Sequence, residues 1–254
     1  MKLMVVLPTY NEAVNLPRMI EALFALEIPE TELSILVVDD GSPDGTGEIA
    51  DDIASEFPGR VRVLHRIEKQ GLGKAYLAGF SKALQNGAEA ILQMDCDFSH
   101  QPQYIPIMVE MLKDKDMVLG SRFAKGGRVD EKWAWWRKLL SWFANSVYLR
   151  VILRARIRDM TGGFKLWRRD TLIGLGLDRI RSNGYVFQAE MTYVTTQLGY
   201  KVAEVPIYFP DRQTGDSKMT FSIAHEAALR VFQVWWRHRN LKETDRSTQI
   251  PNIS

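Results

Sequence analysis

Short apolar runs alternate with segments of helical spacing through the first half of the chain. The runs have the length and aliphatic content of strands buried on both faces, and between them leucine and isoleucine recur three or four residues apart. Strands are predicted at residues 3–7, 34–38, 61–64, 90–94 and 117–122, and the helices between them end near residues 26, 57, 86 and 112. This alternation predicts an α/β fold with a doubly wound, mostly parallel sheet flanked by helices.

The second half contains two segments that are helical, apolar and basic at once. The first, residues 133–153, is rich in tryptophan, and the second, residues 222–239, ends in Trp235-Trp236-Arg237-His238-Arg239. Amphipathic helices of this composition suit a membrane interface, where indole rings lie at the level of the lipid headgroups. The alternative, which the pattern leaves open, is a buried helix with a basic exposed edge.

Elsewhere in this half the pattern predicts a turn at residues 161–165, a helix at 185–198 and an extended run at 201–209. No internal repeat or linker interrupts residues 1–240, so they are predicted to form a single domain. Residues 241–254 are predicted to be a polar, disordered tail.

Composition limits the functions that the chain can have. Its 254 residues suit one large α/β domain, and its net charge of +2 does not by itself indicate a nucleic-acid partner. Arginine and lysine are concentrated between Arg122 and Arg169, so this region is expected to face an anionic partner. The single cysteine, Cys96, excludes an internal disulfide and a cysteine-based zinc site. No stretch of about 18 residues lacks charge, so we expect no membrane-spanning segment.

Carboxylates directly follow two of the predicted strands. Asp39 follows the second strand, and Asp95 and Asp97 follow the fourth, one residue apart. Ligands of open α/β sheets bind outside the carboxyl ends of the strands, so these acids are expected to face a site. Two neighbouring carboxylates are typical of a site for a hard divalent cation that bridges substrate phosphates. The alternative is that Asp95 and Asp97 only cap a turn, and so short a motif does not decide between the two.

Several further motifs accompany these acids in a fixed order. They are Pro8-Thr9-Tyr10-Asn11-Glu12, Asp39-Asp40-Gly41-Ser42, Ser42-Pro43-Asp44-Gly45-Thr46, Asp95-Cys96-Asp97, Gly120-Ser121-Arg122-Phe123, Gly184-Tyr185-Val186-Phe187-Gln188 and Arg212-x-x-Gly215-x-Ser217-Lys218. In combination they resemble the motifs of family 2 glycosyltransferases, and within that family those of the polyprenol-phosphate (dolichol-phosphate) mannose synthases. The resemblance covers about residues 2–240.

The resemblance implies a single GT-A catalytic domain, a Rossmann-like α/β fold, over residues 1–240. It implies inverting transfer of mannose from GDP-mannose to dolichyl or polyprenyl phosphate, with Mg²⁺ or Mn²⁺ as the cofactor. The product, a polyprenyl phosphate mannose, would serve glycan or glycoprotein synthesis.

The resemblance also assigns residues to the site, position by position. The donor-binding positions are Pro8, Tyr10, Glu12, Val37, Asp39, Asp95, Cys96, Asp97, Arg212 and Lys218. The metal ligands are Asp95, Asp97 and Ser99, the acceptor-phosphate positions are Ser121, Arg122 and Arg137, and the catalytic candidates are Asp97, Arg122 and Arg212. Ser99 stands where the family has a further metal ligand, sometimes glutamine; because its hydroxyl is a weaker ligand, water is expected as a replacement for it. Cys96 stands where alanine is common.

An acceptor phosphate monoester is already largely ionised near neutral pH, so we predict no catalytic base. What it needs is positioning and partial neutralisation, which a bidentate arginine provides. Arg122 is the best candidate, because it follows a strand beside the acidic motif. The alternative is that Arg122 forms an ordinary strand-end ion pair. For His100, next to the metal motif, a structural role is favoured over contact with the acceptor.

A lipid acceptor keeps its tail in the bilayer, so the site is expected to approach a membrane. We predict a peripheral protein on the cytoplasmic face, bound to anionic lipid through residues 133–153 and 222–239, with an accessory membrane subunit as a candidate partner. Three alternatives are a UDP-glucose-dependent polyprenyl-phosphate glucosyltransferase, a non-catalytic nucleotide-binding module at the membrane, and a nucleic-acid-binding protein that stacks bases on its tryptophans. We expect no nucleic-acid partner, because the paired aspartates would repel its backbone.

Overall fold

The computed structural model of the protein describes residues 1–131, 135–210 and 221–253, without the side chains of residues 136, 137, 140, 146, 185 and 221–229. The strands are β1 (Lys2–Thr9), β2 (Glu32–Asp39), β3 (Val61–His65), β4 (Ala90–Gln93), β5 (Met117–Ser121), β6 (Arg128–Val129), β7 (Lys165–Arg168), β8 (Val202–Pro206) and β9 (Tyr208–Phe209). The helices are α1 (Asn15–Phe24), α2 (Thr46–Glu56), α3 (Leu72–Gln85), α4 (Ile105–Leu112), α5 (Trp135–Phe143), α6 (Arg150–Leu153), α7 (Arg169–Leu175), α8 (Gly184–Gln197) and α9 (Phe221–His238).

A seven-stranded sheet of order β3-β2-β1-β4-β7-β5-β8 forms the centre of the described residues, and β6 and β9 pair separately. Neighbours in the large sheet are parallel, except that β7 is antiparallel to both β4 and β5. Thr9 pairs with Asp39, and Val6 pairs with Gln93, so the carboxyl ends of β1, β2 and β4 meet at one edge. The predicted mostly parallel sheet, flanked by helices, is confirmed.

Strand β7 is the element that the sequence pattern misses, since the pattern predicts only a turn at residues 161–165. The strand has four residues, with Lys165 at one end and Arg168 at the other, so no apolar run marks it. Its place between β4 and β5 is decided by pairing with residues that are distant in the chain, which a local period does not report.

The core lies on both faces of the sheet. One face packs against α3 and α8, where the ring of Tyr76 stacks on Phe187 with centroids 6.1 Å apart and planes 2° apart. The other face packs against α1, α2 and α4. Helix α3 lies so close to β1 that a Cβ atom at Gly79 would be 2.5 Å from Cγ1 of Val6. A side chain at position 79 would therefore displace the helix that carries Tyr76.

The polar segment after α9 packs against the domain, so the prediction of a disordered tail was wrong. The hydroxyl of Ser81 donates to the carbonyl oxygen of Pro251 at 2.7 Å and accepts from the amide of Ile253 at 3.1 Å. The guanidinium of Arg246 donates twice to the carbonyl oxygen of Leu198, at 2.7 and 2.9 Å. Polar composition concealed these contacts, because they use main-chain groups that every sequence has.

Both predicted amphipathic segments are helical where the structure describes them. A π-helical turn, Ala144–Leu149, joins α5 to α6, and α9 covers the second segment. Their exposed apolar side chains are Trp135, Leu139, Trp142, Phe143, Val151, Phe232 and Trp236. No helix in the described part of the chain has the length and apolar content needed to span a membrane.

A fully buried lysine lies where β7 meets α8. Nζ of Lys165 donates to the carbonyl oxygen of Gln188 at 2.9 Å and to its Oε1 at 2.8 Å, and Nε2 of Gln93 donates to the same Oε1 at 2.7 Å. Burial lowers the pKa of Lys165 to about 7, although Asp159 acts in the opposite direction. The folded protein therefore releases this proton at a lower pH than the unfolded chain, in which the pKa is 10.5.

We expect Lys165 to make the free energy of unfolding rise with pH. Below pH 7 both states hold the proton, whereas between about pH 7 and 10.5 only the unfolded state does, which adds about 1.4 kcal/mol per pH unit. In urea unfolding, the wild type should gain about 2 kcal/mol over Lys165→Met between pH 7 and pH 9. Lys82→Met, at an exposed position of α3, is the control and should show no such gain. Equal pH dependence in wild type and Lys165→Met would contradict the expectation.

Candidate active site

The loop after β1 is fastened to the loop after β2. The amide of Glu12 donates to Oγ1 of Thr46 at 3.0 Å, and the amide of Ala13 donates to Oδ2 of Asp44 at 3.1 Å. Burial acts to raise the pKa of Asp44, but hydrogen bonds from Thr46 and Ala13 outweigh it and lower the pKa. Gly45, with φ of 86°, is the N-cap of α2, so Thr46 is not the cap and its hydroxyl holds the loop instead.

Asp39 is the buried centre of these two loops. Its carboxylate accepts from Oγ1 of Thr9 at 3.2 Å, and from the amide and hydroxyl of Ser42 at 3.1 and 2.6 Å. The residue is only 3% exposed, and neutral donors from both loops hold it. The relative position of the two loops therefore depends on this side chain.

Tyr10 presents an aromatic ring at the surface beside these loops. The ring is exposed, and Nζ of Lys69 lies 3.5 Å from its centroid. Nearby, Arg66 forms a buried ion pair with Asp40, whose pKa is raised because burial outweighs the effect of the guanidinium. An exposed ring beside a cation is a surface on which a nucleoside base can stack.

Asp95 and Asp97 follow β4, and hydrogen bonds hold both of them. Oδ1 of Asp95 accepts from the hydroxyl of Tyr76 at 2.7 Å, and Oδ1 of Asp97 accepts from the amide of Ser99 at 3.0 Å. Phe98, which lies between Asp97 and Ser99, has a left-handed φ of 60°. Asp97 thus does cap a turn, as the alternative from sequence proposed. This does not exclude cation binding, because a carboxylate has further lone pairs.

The hydroxyl of Ser99 is buried and has no hydrogen-bond partner in the part of the chain that the structure describes. An orphaned oxygen beside two carboxylates fits a hard cation, which takes oxygen ligands. Within the described ranges, however, no three His, Cys, Asp or Glu side chains gather as a metal cluster. Asp95, Asp97 and Ser99 therefore fit a divalent cation as one side of a shell that water or a ligand's phosphates complete.

Cys96, which the resemblance places among the donor-binding positions, points into the core instead and is 2% exposed. Burial raises the pKa of its thiol well above the usual value, and the carboxylates of Glu12, Asp97 and Asp95 raise it further. The effect of Glu12 places the loop after β1 near the acidic motif. The thiol stays protonated and adds no charge to the site.

Arg122 is paired with a fully buried carboxylate. Its Nε and Nη2 donate to the two carboxylate oxygens of Asp159 at 2.8 and 2.7 Å, and Nη2 also donates to Oγ1 of Thr161 at 2.9 Å. The strand-end ion pair that the sequence left as an alternative is therefore present. A role of Arg122 at the acceptor phosphate stays a prediction, and it would use the Nη1 edge of the guanidinium.

Ser121, predicted at the acceptor phosphate, is also engaged within the protein. Its hydroxyl donates to Oε1 of Glu204 at 2.7 Å and accepts from the amide of Ala124 at 3.0 Å. Glu204, on β8, further accepts from the amides of Arg158 and Asp159, each at 3.1 Å. This second carboxylate fixes the segment that brings Asp159 to Arg122.

An open pocket of about 320 Å³ lies beside Arg122. Nζ of Lys138, at its wall, is held by a hydrogen bond of 3.0 Å to the carbonyl oxygen of Glu131. The other charged or aromatic lining residues are Arg128, Glu131, Phe123, Trp142 and Tyr208, so the basic side chains outnumber the one lining carboxylate. The pocket therefore combines positive charge with aromatic walls.

Some predicted site residues are not brought to the site by the described structure. Arg212 and Lys218 lie outside the described residues, and so does the side chain of Arg137. Val37 is fully buried, and its side chain packs in the core rather than against a donor. Pro8, by contrast, is partly exposed at the end of β1.

Tyr76 and Asp159 are site residues that sequence reasoning did not select. A lone tyrosine in an apolar helix such as α3 carries no signal. Asp159 could have been found, because it is the only acid between residues 132 and 169, where basic residues are concentrated. A buried arginine in that region needs a counter-charge, and the sequence offers this one.

Residues 4–176, more than half of the chain, match the family model for Glycosyl transferase family 2. The chain belongs to glycosyltransferase family 2. This family 2 glycosyltransferase is 45% identical over 231 residues to the undecaprenyl-phosphate mannosyltransferase of Micrococcus luteus, an alignment that covers 91% of this chain and 93% of that protein. It is 42% identical over 229 residues to the polyprenol monophosphomannose synthase of Mycolicibacterium smegmatis, covering 90% of this chain and 84% of that protein. The resemblance found in the motifs is confirmed.

The fold of the glycosyltransferase is similar to that of glucosyl-3-phosphoglycerate synthase from Mycobacterium tuberculosis, solved in complex with Mn²⁺, UDP and phosphoglyceric acid. The TM-score is 0.63 at 19% sequence identity, and the match covers 93% of this chain and 78% of that chain. At this identity the likeness concerns the fold, and the predicted GT-A fold is confirmed.

We expect the Arg122–Asp159 pair to be strongly coupled. Replacing Asp159 alone with leucine leaves a buried guanidinium without its partner and should lower the free energy of unfolding by about 3–5 kcal/mol. Arg122→Met combined with Asp159→Leu should cost clearly less than the sum of the single variants, which urea unfolding of all four proteins would measure.

The exposed pair Glu110–Lys113, on the surface of α4, is the matched control. The same double-mutant cycle there should show a much smaller coupling, because water solvates both partners. Additive single-variant effects at Arg122 and Asp159 would contradict the expected coupling.

Proposed function

We propose that this glycosyltransferase transfers mannose from GDP-mannose to a polyprenyl phosphate, with inversion at the anomeric carbon. The observation that carries the proposal is the similarity, over nine-tenths of the chain, to two relatives whose names combine a polyprenyl phosphate with mannose. The division of charge in the site supports it. Asp39 after β2 and Asp95 after β4 are held by neutral donors, and a basic, aromatic pocket follows β5.

The acidic side is the proposed donor half. Tyr10 would stack on the base, the loops that Asp39 joins would hold the nucleoside, and the acidic motif would face the diphosphate. Bound Mg²⁺ or Mn²⁺ would stabilise negative charge on the leaving GDP, and Asp95, Asp97 and Ser99 are the residues that would hold the ion. Arg212 and Lys218 stay predicted partners of the same diphosphate.

The basic side is the proposed acceptor half. A phosphate oxygen of the lipid forms the new bond to the anomeric carbon, while the bond from that carbon to the β-phosphate oxygen of GDP breaks. The acceptor oxygen is already ionised, so no proton has to be removed. Lys138, Arg128 and the Nη1 edge of Arg122 supply positive charge in the pocket, and Trp142 and Tyr208 supply apolar surface for the first isoprene units.

We further propose that the exposed apolar residues of α5 and α9 contact the bilayer from which the acceptor is drawn. Trp142 is at once an exposed residue of α5 and a wall of the pocket, so the pocket opens towards that surface. Trp236 is 69% exposed, and the guanidinium of Arg239 lies 5.0 Å from the centroid of its ring and can meet lipid phosphates.

A second candidate is the same reaction with UDP-glucose as donor. The solved structure with a similar fold is a glucosyltransferase by its name and was determined with UDP, so the fold does not separate the two donors. The two mannose-named relatives favour the first candidate.

A transfer assay in detergent tests the proposal. Radiolabelled GDP-mannose and UDP-glucose are offered in parallel with undecaprenyl phosphate, with Mn²⁺, with Mg²⁺ and with EDTA. We expect labelled lipid from GDP-mannose only, dependent on the cation, and at least about 100-fold less with Asp97→Ala. Asp52→Ala, at an exposed position of α2, is the control and should retain wild-type transfer. Labelling from UDP-glucose alone would contradict GDP-mannose as the donor. Labelling in EDTA would contradict the requirement for a divalent cation.

Membrane contact is tested by co-sedimentation with vesicles that contain one-third phosphatidylglycerol. Trp142→Ala combined with Trp236→Ala should lower the partition coefficient about tenfold, because two exposed indoles no longer enter the interface. Ile107→Ala removes a comparably exposed apolar residue from α4 and should leave partitioning unchanged. Equal partitioning of the double variant and the wild type would rule out membrane contact through these residues of α5 and α9.

A further inference from the structure

His100 lies directly behind the acidic motif and is 3% exposed. Its Nδ1 atom accepts a hydrogen bond from the amide of Asp95 at 2.9 Å. A nitrogen that accepts carries no proton, so the ring is the neutral tautomer with its proton on Nε2. The approach of Nδ1 to Oδ2 of Asp95, at 4.0 Å, is therefore not an ion pair. The link between the two residues is the main-chain hydrogen bond.

The imidazole ring is clamped by segments that are distant in the chain. It stacks on Phe164, with centroids 5.2 Å apart and planes inclined by 12°, and it meets the ring of Phe209 edge-on at 5.8 Å. On a further side, a Cβ atom at Gly163 would lie only 3.1 Å from Cε1. These neighbours fix the plane of the ring, and the hydrogen bond from the amide of Asp95 selects the orientation in which Nδ1 faces that residue.

Asp95 is thereby held at two points. The hydroxyl of Tyr76 binds Oδ1, and Nδ1 of His100 binds the amide. Burial, and then the charge of Asp95, raise the pKa of Tyr76 well above its usual value, so the hydroxyl keeps its proton and remains a donor. With the main chain and one oxygen fixed, the direction of the second oxygen is fixed too. The side chain of Asp95 is 25% exposed, so that oxygen can reach a ligand.

We propose that His100 is a positioning residue, which orients Asp95 so that Oδ2 meets the divalent cation of the donor site. The inference rests on the proposed metal-dependent donor binding and deepens it. Partners that orient metal ligands without touching the metal commonly contribute 10- to 100-fold to metal affinity. A histidine that served only to fill space would contribute to stability but not to the affinity for the cation.

Replacing His100 with asparagine or glutamine separates a role in orienting Asp95 from a role in filling space. Asparagine places its Oδ1 where Nδ1 of histidine lies, so His100→Asn keeps an acceptor for the amide of Asp95. Glutamine reaches the position of Nε2 instead, so His100→Gln loses that acceptor. Binding of Mn²⁺ in the presence of GDP is measured by electron paramagnetic resonance of the free ion. We expect about tenfold weaker binding for His100→Gln and a loss of no more than about threefold for His100→Asn.

The controls separate failure of the inference from failure of the proposed function. His65→Gln, at an exposed histidine on β3, should bind Mn²⁺ as the wild type does. Equal affinities for all variants, or equal losses for both His100 variants, would overturn the role of His100 alone. Absence of Mn²⁺ binding by the wild-type protein with GDP would overturn the proposed donor site itself.

A measurement on the wild-type protein covers the case in which a variant does not fold. Nitrogen-15 spectra of histidine-labelled protein at neutral pH should show an unprotonated Nδ1 and a protonated Nε2 for one buried histidine. Its assignment follows from the coupling of Nδ1 to the amide proton of Asp95 across the hydrogen bond. A proton on Nδ1 of His100 would overturn the inference.

Discussion

The site depends on how each carboxylate at the carboxyl edge of the sheet is compensated. A buried carboxylate is costly unless donors or cations satisfy it. After β2 and β4 the donors to Asp39 and Asp95 are hydroxyls and amides, so the negative charge of these two side chains persists, whereas Asp40 is paired with Arg66. After β5 the partner of Asp159 is the guanidinium of Arg122, which cancels the charge. One edge thus acquires an acidic half and a half in which Lys138 and Arg128 outweigh the carboxylate of Glu131 and leave an excess of positive charge.

This division of charge determines what each half can bind. Two neighbouring carboxylates favour a cation, and a cation in turn favours a diphosphate. A pocket with excess positive charge and aromatic walls favours an anion attached to an apolar chain. The sheet topology brings the two halves together, because β7 runs antiparallel between β4 and β5 and carries the Thr161–Phe164 segment to the boundary. His100 and Arg122 both contact Phe209 there, with the imidazole centroid 5.8 Å and the guanidinium carbon 5.3 Å from the centroid of the phenyl ring.

Arg122 illustrates how far reasoning from sequence can reach. Its position in the sequence predicts that it lies at the end of a strand, and it does follow β5; its role in the site stays a prediction. The sequence could not show whether its partner is a ligand phosphate or a carboxylate of the protein, because an arginine binds both by the same bidentate geometry. Ser121 is similar, since its hydroxyl is engaged by Glu204 from β8, 83 residues away in the chain. The tail is the opposite case, in which ordinary main-chain hydrogen bonds ordered a segment whose composition suggested disorder.

Local sequence patterns are sufficient to predict the alternation of strands and helices, the mostly parallel sheet, the acids at the ends of β2 and β4, and the two amphipathic segments. These features follow from local periods and from the rule that parallel strands end at one edge. Long-range packing is needed to explain the insertion of β7, the burial of Lys165, the hydrogen bonds of Tyr76 and His100 to Asp95, and the pairing of Arg122 with Asp159. Each of these joins residues that are distant in the chain or turned towards each other by a loop, and the energy of such a contact depends on burial, which no local pattern records.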